Sequence, residues 1–153
     1  MLIRTHLAIS LFFILLFLSN VVDKLIFFIV VLIATFIPDI DSRFSTVGRK
    51  KIARILQFFT QHRGVTHSFL FLFSVTLLLT LFFPTIALGF FLGYSLHLFA
   101  DSFTVDGIIP FYPFYKKKIN GYIRTGGKSE IIVLVTFIIL DIILVFGKFG
   151  KFI

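Results

Sequence analysis

Apolar residues fall in five runs along this chain, 7–22, 25–37, 66–83, 85–100 and 131–146, with polar residues gathered at the breaks between them. Long runs without period-two alternation predict buried or lipid-facing helices. Asn20, Asp23 and Lys24 turn the chain after the first run. Pro38 ends the second, because proline disfavours helical geometry at the residue before it, and the acidic pair Asp39 and Asp41 follows at once. Pro84 divides the third run from the fourth. Residues 42–61 are different: Arg43, Arg49, Lys50, Lys51 and Arg54 are interleaved with Ile52, Ile55, Leu56 and Phe59 at helical spacing. That pattern predicts an amphipathic helix lying in the headgroup layer, in preference to a helix whose basic side is merely solvated. Between 102 and 130 the chain reads as irregular, with Gly107, Pro110, Pro113, four aromatics from Phe111 to Tyr115, Lys116 to Lys118 and an Asn120-Gly121 turn. Aromatics of this kind suit a membrane interface. The first run could pass for a secretory signal, but no small-x-small cleavage pattern occurs near Ser19 to Asp23, so it is read as an anchor.

Composition turns this pattern into a class. With 58% hydrophobic residues, 24 Phe and a mean hydropathy of +1.07, the 153 residues have too little polar surface to cover a soluble globule. The expected fold is an all-α integral membrane protein, a bundle of about five transmembrane helices with one amphipathic interfacial helix, forming a single domain over residues 1–153. A net charge of +8 would suggest nucleic acid in a soluble protein. Beside apolar spans it reflects topology and attraction to anionic headgroups, so no nucleic-acid partner is expected. With no cysteine, any metal must be held by imidazole and carboxylate.

Threading five alternating spans brings His6, Asp39, Asp41, His62, His67, His97 and Asp101 to the membrane face where the chain begins. The same face collects 12 of the 15 Lys and Arg residues and leaves Lys24, Lys148 and Lys151 opposite. By the positive-inside rule that face is cytoplasmic. Imidazole and carboxylate suit zinc first, with manganese or iron as further candidates, and seven groups are enough for one or two ions and their supporting partners. A divalent ion lowers the pKa of bound water to about 7 and polarises a phosphoryl or carbonyl oxygen, so hydrolysis needs no covalent nucleophile. Arg63, close in sequence to two candidate ligands, suits a phosphate or a developing negative charge.

Plainer readings exist for each group. A lone histidine at a helix end is more often an interfacial or hydrogen-bonded residue than a ligand, and it is convergence that favours metal. His97 and Asp101 stand four apart on one helical face, and His62 and His67 flank a single loop. Ser68 beside His67 invites a catalytic-triad reading, but neighbouring residues on a helix diverge and no separate base is evident. Asp141 lies about 15 Å along its helix from Glu130, too far to join the site, and is read as making a hydrogen bond inside the bundle or marking a helix that is not a standard span. Glu130 is at the correct end for an outer-shell acid.

Taken together, Thr5-His6, Pro38-Asp39-Ile40-Asp41-Ser42, His62-Arg63-Gly64-Val65-Thr66-His67-Ser68, Gly93 with the stretch from His97 to Thr104, Gly107, Pro113-Phe114 and residues 125–130 resemble a family of membrane-bound metal-dependent hydrolases, also described as LexA-binding, inner-membrane-associated hydrolases. The resemblance implies a divalent-metal hydrolase of the cytoplasmic membrane acting on phospholipid, with a remote likeness to zinc-dependent phospholipases C. It carries over His6, Asp39, His62, His67, His97 and Asp101 as metal ligands or near neighbours and Asp41 as base or bridging ligand. No segment reads as a protein-docking module, so protein partners stay open. The competing functions are a non-enzymatic scaffold using metal to pin helix ends and a divalent-metal transporter, which would place its ligands near the midplane on broken helices.

The topology is directly measurable. Reporter fusions in loops 43–63 and 102–129 are expected on the cytoplasmic side and a fusion at the carboxyl terminus on the other; opposite sides for the two loops would dissolve the convergence of the site residues.

Overall fold

The computed structural model describes residues 1–41 and 64–149. Among these the chain forms five α-helices: α1 (Ile3–Phe17), α2 (Lys24–Phe36), α3 (Phe69–Phe82), α4 (Pro84–Ser102) and α5 (Lys128–Phe149). Short 3-10 turns occupy Leu18–Asn20, Pro38–Asp41 and Val65–His67. No strand forms among the described residues; the segment between α4 and α5 has isolated bridges, Thr104 with Ile123, Ile108 with Ile119 and Phe111 with Tyr115. The interfacial helix expected over 42–61 lies outside the described residues.

Local chemistry sets most boundaries. Pro38 closes α2 as expected, and Pro84 opens α4 at its first position, where its missing N–H would be unpaired anyway. Ser68 caps α3, its hydroxyl accepting from the Phe71 N–H at 3.2 Å. The start of α1 has no cap of its own. Glu130 of α5 supplies one, accepting from the Leu2 N–H at 2.6 Å and the Thr5 hydroxyl at 2.8 Å, so a carboxylate sits at the positive end of the α1 dipole.

The most extensive helix contact joins α2 and α4. They run in the same direction, with Gly89 against Val30, Gly93 against Val31 and Ala34, and His97 against Thr35. A Cβ at position 93 would stand 2.2 Å from the Val31 carbonyl oxygen, so glycine is what allows this approach. Around it Ala34, Leu72, Phe90, Tyr94, Leu98 and Ile108 form the main core. α1 packs on α2 and α5, and the Ser10 and Thr35 hydroxyls meet at 2.8 Å between α1 and α2.

The outer surface is apolar. Leu25 and Ile33 on α2, Leu77 and Leu81 on α3, and Ile132 and Phe146 on α5 are all exposed, the arrangement expected where the surrounding solvent is lipid. Among the described residues two helices are long and apolar enough to cross a membrane, Ile3–Asn20 and Lys128–Lys148. The expected five spans are not supported. α2 and α3, with 13 and 14 residues, rise about 20 Å against a hydrocarbon core of about 30 Å.

Gly93→Ala is expected to lower bundle stability by about 1–3 kcal/mol, the range for overpacking a tight contact. Thermal unfolding in detergent reads this out. Gly147→Ala, where an added Cβ meets nothing within 4 Å, is the control.

Candidate metal centre

Four helices bring their polar ends to one place. His97 and Asp101 stand a turn apart near the end of α4, and His6 faces them from the second turn of α1. Asp39 sits in the turn that follows α2, and His67 ends the turn that precedes α3. His6, His67, His97 and Asp101 are fully buried, and Asp39 is 16% exposed. The His6 and His97 rings stack with centroids 3.9 Å apart, while the His67 ring meets His97 edge-on at 5.6 Å.

Asp101 is the hub of this cluster. Its Oδ1 lies 2.5 Å from the Met1 amino group and 3.3 Å from His6 Nε2; its Oδ2 lies 3.6 Å from His97 Nε2 and 3.7 Å from His67 Nε2. Asp39 Oδ1 is 3.8 Å from the same His97 Nε2. Helix geometry holds the hub in place, since the Thr104 hydroxyl donates to the Asp101 carbonyl at 2.7 Å and the Thr104 N–H to the same oxygen at 3.0 Å.

One hydrogen bond decides what His97 can do. Its Nδ1 lies 2.8 Å from the Thr35 carbonyl oxygen, an acceptor with no proton to give, so Nδ1 carries a hydrogen and it is Nε2 that offers a lone pair when the ring is neutral. That lone pair points into the cluster with no hydrogen-bond partner among the described residues, and neither ring nitrogen of His6 has one either. Buried polar atoms left unpaired cost about 1–3 kcal/mol each, and a cation would use the lone pairs that protein donors do not. The donor atoms of His6, His97 and Asp101, and those of Asp39, His67 and His97, lie within 4.8 Å of one another, so either group could hold a metal ion. Both groups draw on the same His97 lone pair, so one ion at a time can use it. The carbonyl behind His97 is the usual outer partner of a metal-binding imidazole, fixing ring and tautomer.

Of the residues expected from sequence, the structure brings together His6, Asp39, His67, His97 and Asp101. His62 and Arg63 lie outside the described residues, as does the side chain of Asp41, whose backbone completes the Pro38–Asp41 turn. Glu130 is buried at the correct end, but it holds helix ends rather than ligands: besides Leu2 and Thr5 it accepts from the Gly126 N–H at 2.5 Å. Ser68 donates its hydroxyl to the Val65 carbonyl at 2.7 Å while capping α3, which removes the triad reading. Asp141 lies beside an apolar groove lined by Leu11, Ile138, Ile142, Val145 and Phe146. Its Oδ1 makes no hydrogen bond among the described residues, contrary to the interior bond expected. Sequence reasoning missed Thr35, which acts through its backbone carbonyl, and Tyr94, whose hydroxyl donates to the Thr66 carbonyl beside His67. A backbone acceptor leaves no trace in residue identity; the closely packing Gly93, one turn before His97, is the nearest signal.

The whole chain carries these features into a known group, since residues 1–152 match the family described as YdjM inner membrane protein. The chain belongs to the YdjM inner membrane protein family. With its two long apolar helices, this makes it a membrane protein. It is also similar to the uncharacterized protein YvsG of Bacillus subtilis (strain 168), 32% identical over 107 residues that cover 67% of each chain. No solved structure matches.

If the cluster binds metal as one unit, His97→Ala and Asp101→Ala each weaken divalent-ion binding at least 10–100-fold, roughly the effect that loss of an outer partner alone produces. The double variant then falls little further, because residues of one site do not add. Metal content and calorimetric titration of purified protein measure this. Binding weakens as pH falls, since protons compete for the imidazole lone pairs.

Proposed function

We propose that this protein is a membrane-bound, metal-dependent hydrolase that cleaves a phosphoester, of the phospholipid type, at the cytoplasmic face. The observation that carries the reading is the His97 side chain, held by the Thr35 carbonyl with its free lone pair directed among His6, His67, Asp39 and Asp101. Zinc suits this imidazole and carboxylate set first and manganese second. Bound there, such an ion would supply Lewis acidity and lower the pKa of water. Thr35 and Asp101 orient the imidazoles, and the apolar walls exclude bulk water and strengthen every charge interaction inside. Asp39, the most exposed member, marks the side open to substrate. Asp41 is assigned as the base and Arg63 as the partner of the phosphate, with His62 completing the ligand set. The cytoplasmic assignment rests on the distribution of Lys and Arg.

A second reading has its own support. His6, His67, His97 and Asp101 are each at most 1% exposed, the burial expected of an ion that pins helix ends without reacting. A transporter is less well supported, because the donors gather at helix ends and not along broken helices near a midplane.

Turnover separates these readings. Metal-loaded protein is expected to hydrolyse a phospholipid or lipid phosphate, to lose activity on chelation and to regain it with zinc or manganese. Arg63→Ala is expected to reduce kcat/KM by about 100-fold, the loss for one charge-stabilising group, with metal content unchanged. Loaded protein inactive on phospholipids, lipid phosphates and soluble phosphoesters alike would leave the pinning role.

A further inference from the structure

The segment joining α4 to α5 is built, not loose. It starts on the hub residue, where the Thr104 hydroxyl donates to the Asp101 carbonyl, and the Thr104 hydroxyl in turn accepts from the Gly107 N–H at 3.1 Å. Ile108 is buried in the main core and exchanges two backbone hydrogen bonds of 2.9 Å with Ile119. The Pro110 carbonyl accepts from the Phe69 N–H at 2.8 Å, tying the segment to the start of α3. Gly107, at φ +54, lies against the Ile119 carbonyl, where no side chain would fit.

On this fixed base the outward side chains are of two kinds. Phe114 and Tyr122 are 87% and 97% exposed, with Phe111, Tyr115 and Ile119 also exposed. Among them stand Lys116, Lys117, Lys118 and Arg124, all exposed, with Lys128 close behind; Asp106 is the one acidic residue between 103 and 128. Large rings turned outward next to clustered cations make a poor water-facing loop. They match a headgroup layer, where rings settle among the glycerol backbones and ammonium groups meet phosphates. The surface is continuous with the apolar outer face of the helices, because Phe103 opens it and Ile131 and Ile132 follow it, all exposed.

We propose that residues 103–127 form a docking platform for anionic phospholipid headgroups, with Phe114 and Tyr122 inserted at the glycerol level and Lys116, Lys117 and Lys118 on the phosphates. The platform goes beyond the hydrolase reading and does not depend on it.

The chain has no tryptophan, so Phe114→Trp places a single indole reporter at a site where the side chain packs on little else. The full-length protein is reconstituted in phosphatidylcholine vesicles containing a minor fraction of phosphatidylglycerol, with one lipid or the other brominated near the glycerol end of its chains. Quenching by both is expected. Per lipid, brominated phosphatidylglycerol is expected to quench far more strongly, by roughly fivefold for each engaged lysine. Lys116→Gln, Lys117→Gln and Lys118→Gln together should bring the two lipids to equal quenching with the indole still inserted. Tyr122→Trp repeats the measurement at a second position. An indole open to aqueous iodide and untouched by either brominated lipid would overturn the platform. Equal quenching in the starting protein, or a lipid preference that survives the triple substitution, would overturn the role of the lysines.

Discussion

Because Gly93 has no side chain, α4 can lie against the Val31 backbone of α2, and the rest of the polar end follows from that approach. One turn further along, the same register sets His97 under the Thr35 carbonyl at 2.8 Å. Thr35 in turn gives its hydroxyl to the Val31 carbonyl at 2.8 Å and meets Ser10 of α1, so the residue behind His97 is itself held from two directions. A further turn brings Asp101 opposite His6. The spacing of the cluster is thus a consequence of helix packing, with the positions of three helices expressed in the placement of one imidazole.

The cluster also explains why an apolar bundle tolerates so many polar groups. Carboxylates and imidazoles buried at a bundle end are costly one at a time, and the cost of burying Asp101 is offset by the Met1 amino group, which donates to its Oδ1 at 2.5 Å. The stacked His6 and His97 rings, 3.9 Å apart, repel if both are charged. Neutral rings with lone pairs turned toward two carboxylates are the form that receives a cation. Glu130 does comparable work at the backbone level, joining the starts of α1 and α5 and so fixing the helix that carries His6.

Much of this was legible before any fold was known. Hydropathy marks each of the five described helices, and Pro38 and Pro84 mark two boundaries because their effects act through the chain itself. His97 and Asp101 could be paired from their spacing of four alone. The length of α1 is less legible, since Arg4, Thr5 and His6 look like a polar prelude but lie within the helix, where Glu130 accepts from the Thr5 hydroxyl. The number of spans was overestimated, because an apolar run records burial or lipid contact and does not say whether the helix is long enough to cross. The Thr35 carbonyl was invisible: every residue has one, and only tertiary packing selects it. A carboxylate that caps a helix, as Glu130 does, and one that supports a ligand look the same in sequence.

Burial at the cluster cuts in two directions, and the geometry distinguishes its parts. Deep burial of His6, His97 and Asp101 strengthens the interactions between charges placed among them and keeps their positions fixed, properties shared by a structural pin and a preorganised reactive centre. A reactive centre also needs one approach that the protein does not close. Asp39 is the member that retains exposure, in a 3-10 turn and not within a packed helix, and its Oδ1 lies 3.8 Å from His97 Nε2. The rigid face made by α1 and α4 therefore meets a less enclosed face made by the turn after α2. Helix packing sets the imidazoles and Asp101, while the turn after α2 sets the exposure of Asp39, so one small cluster combines side chains held by packed helices with one held by a turn.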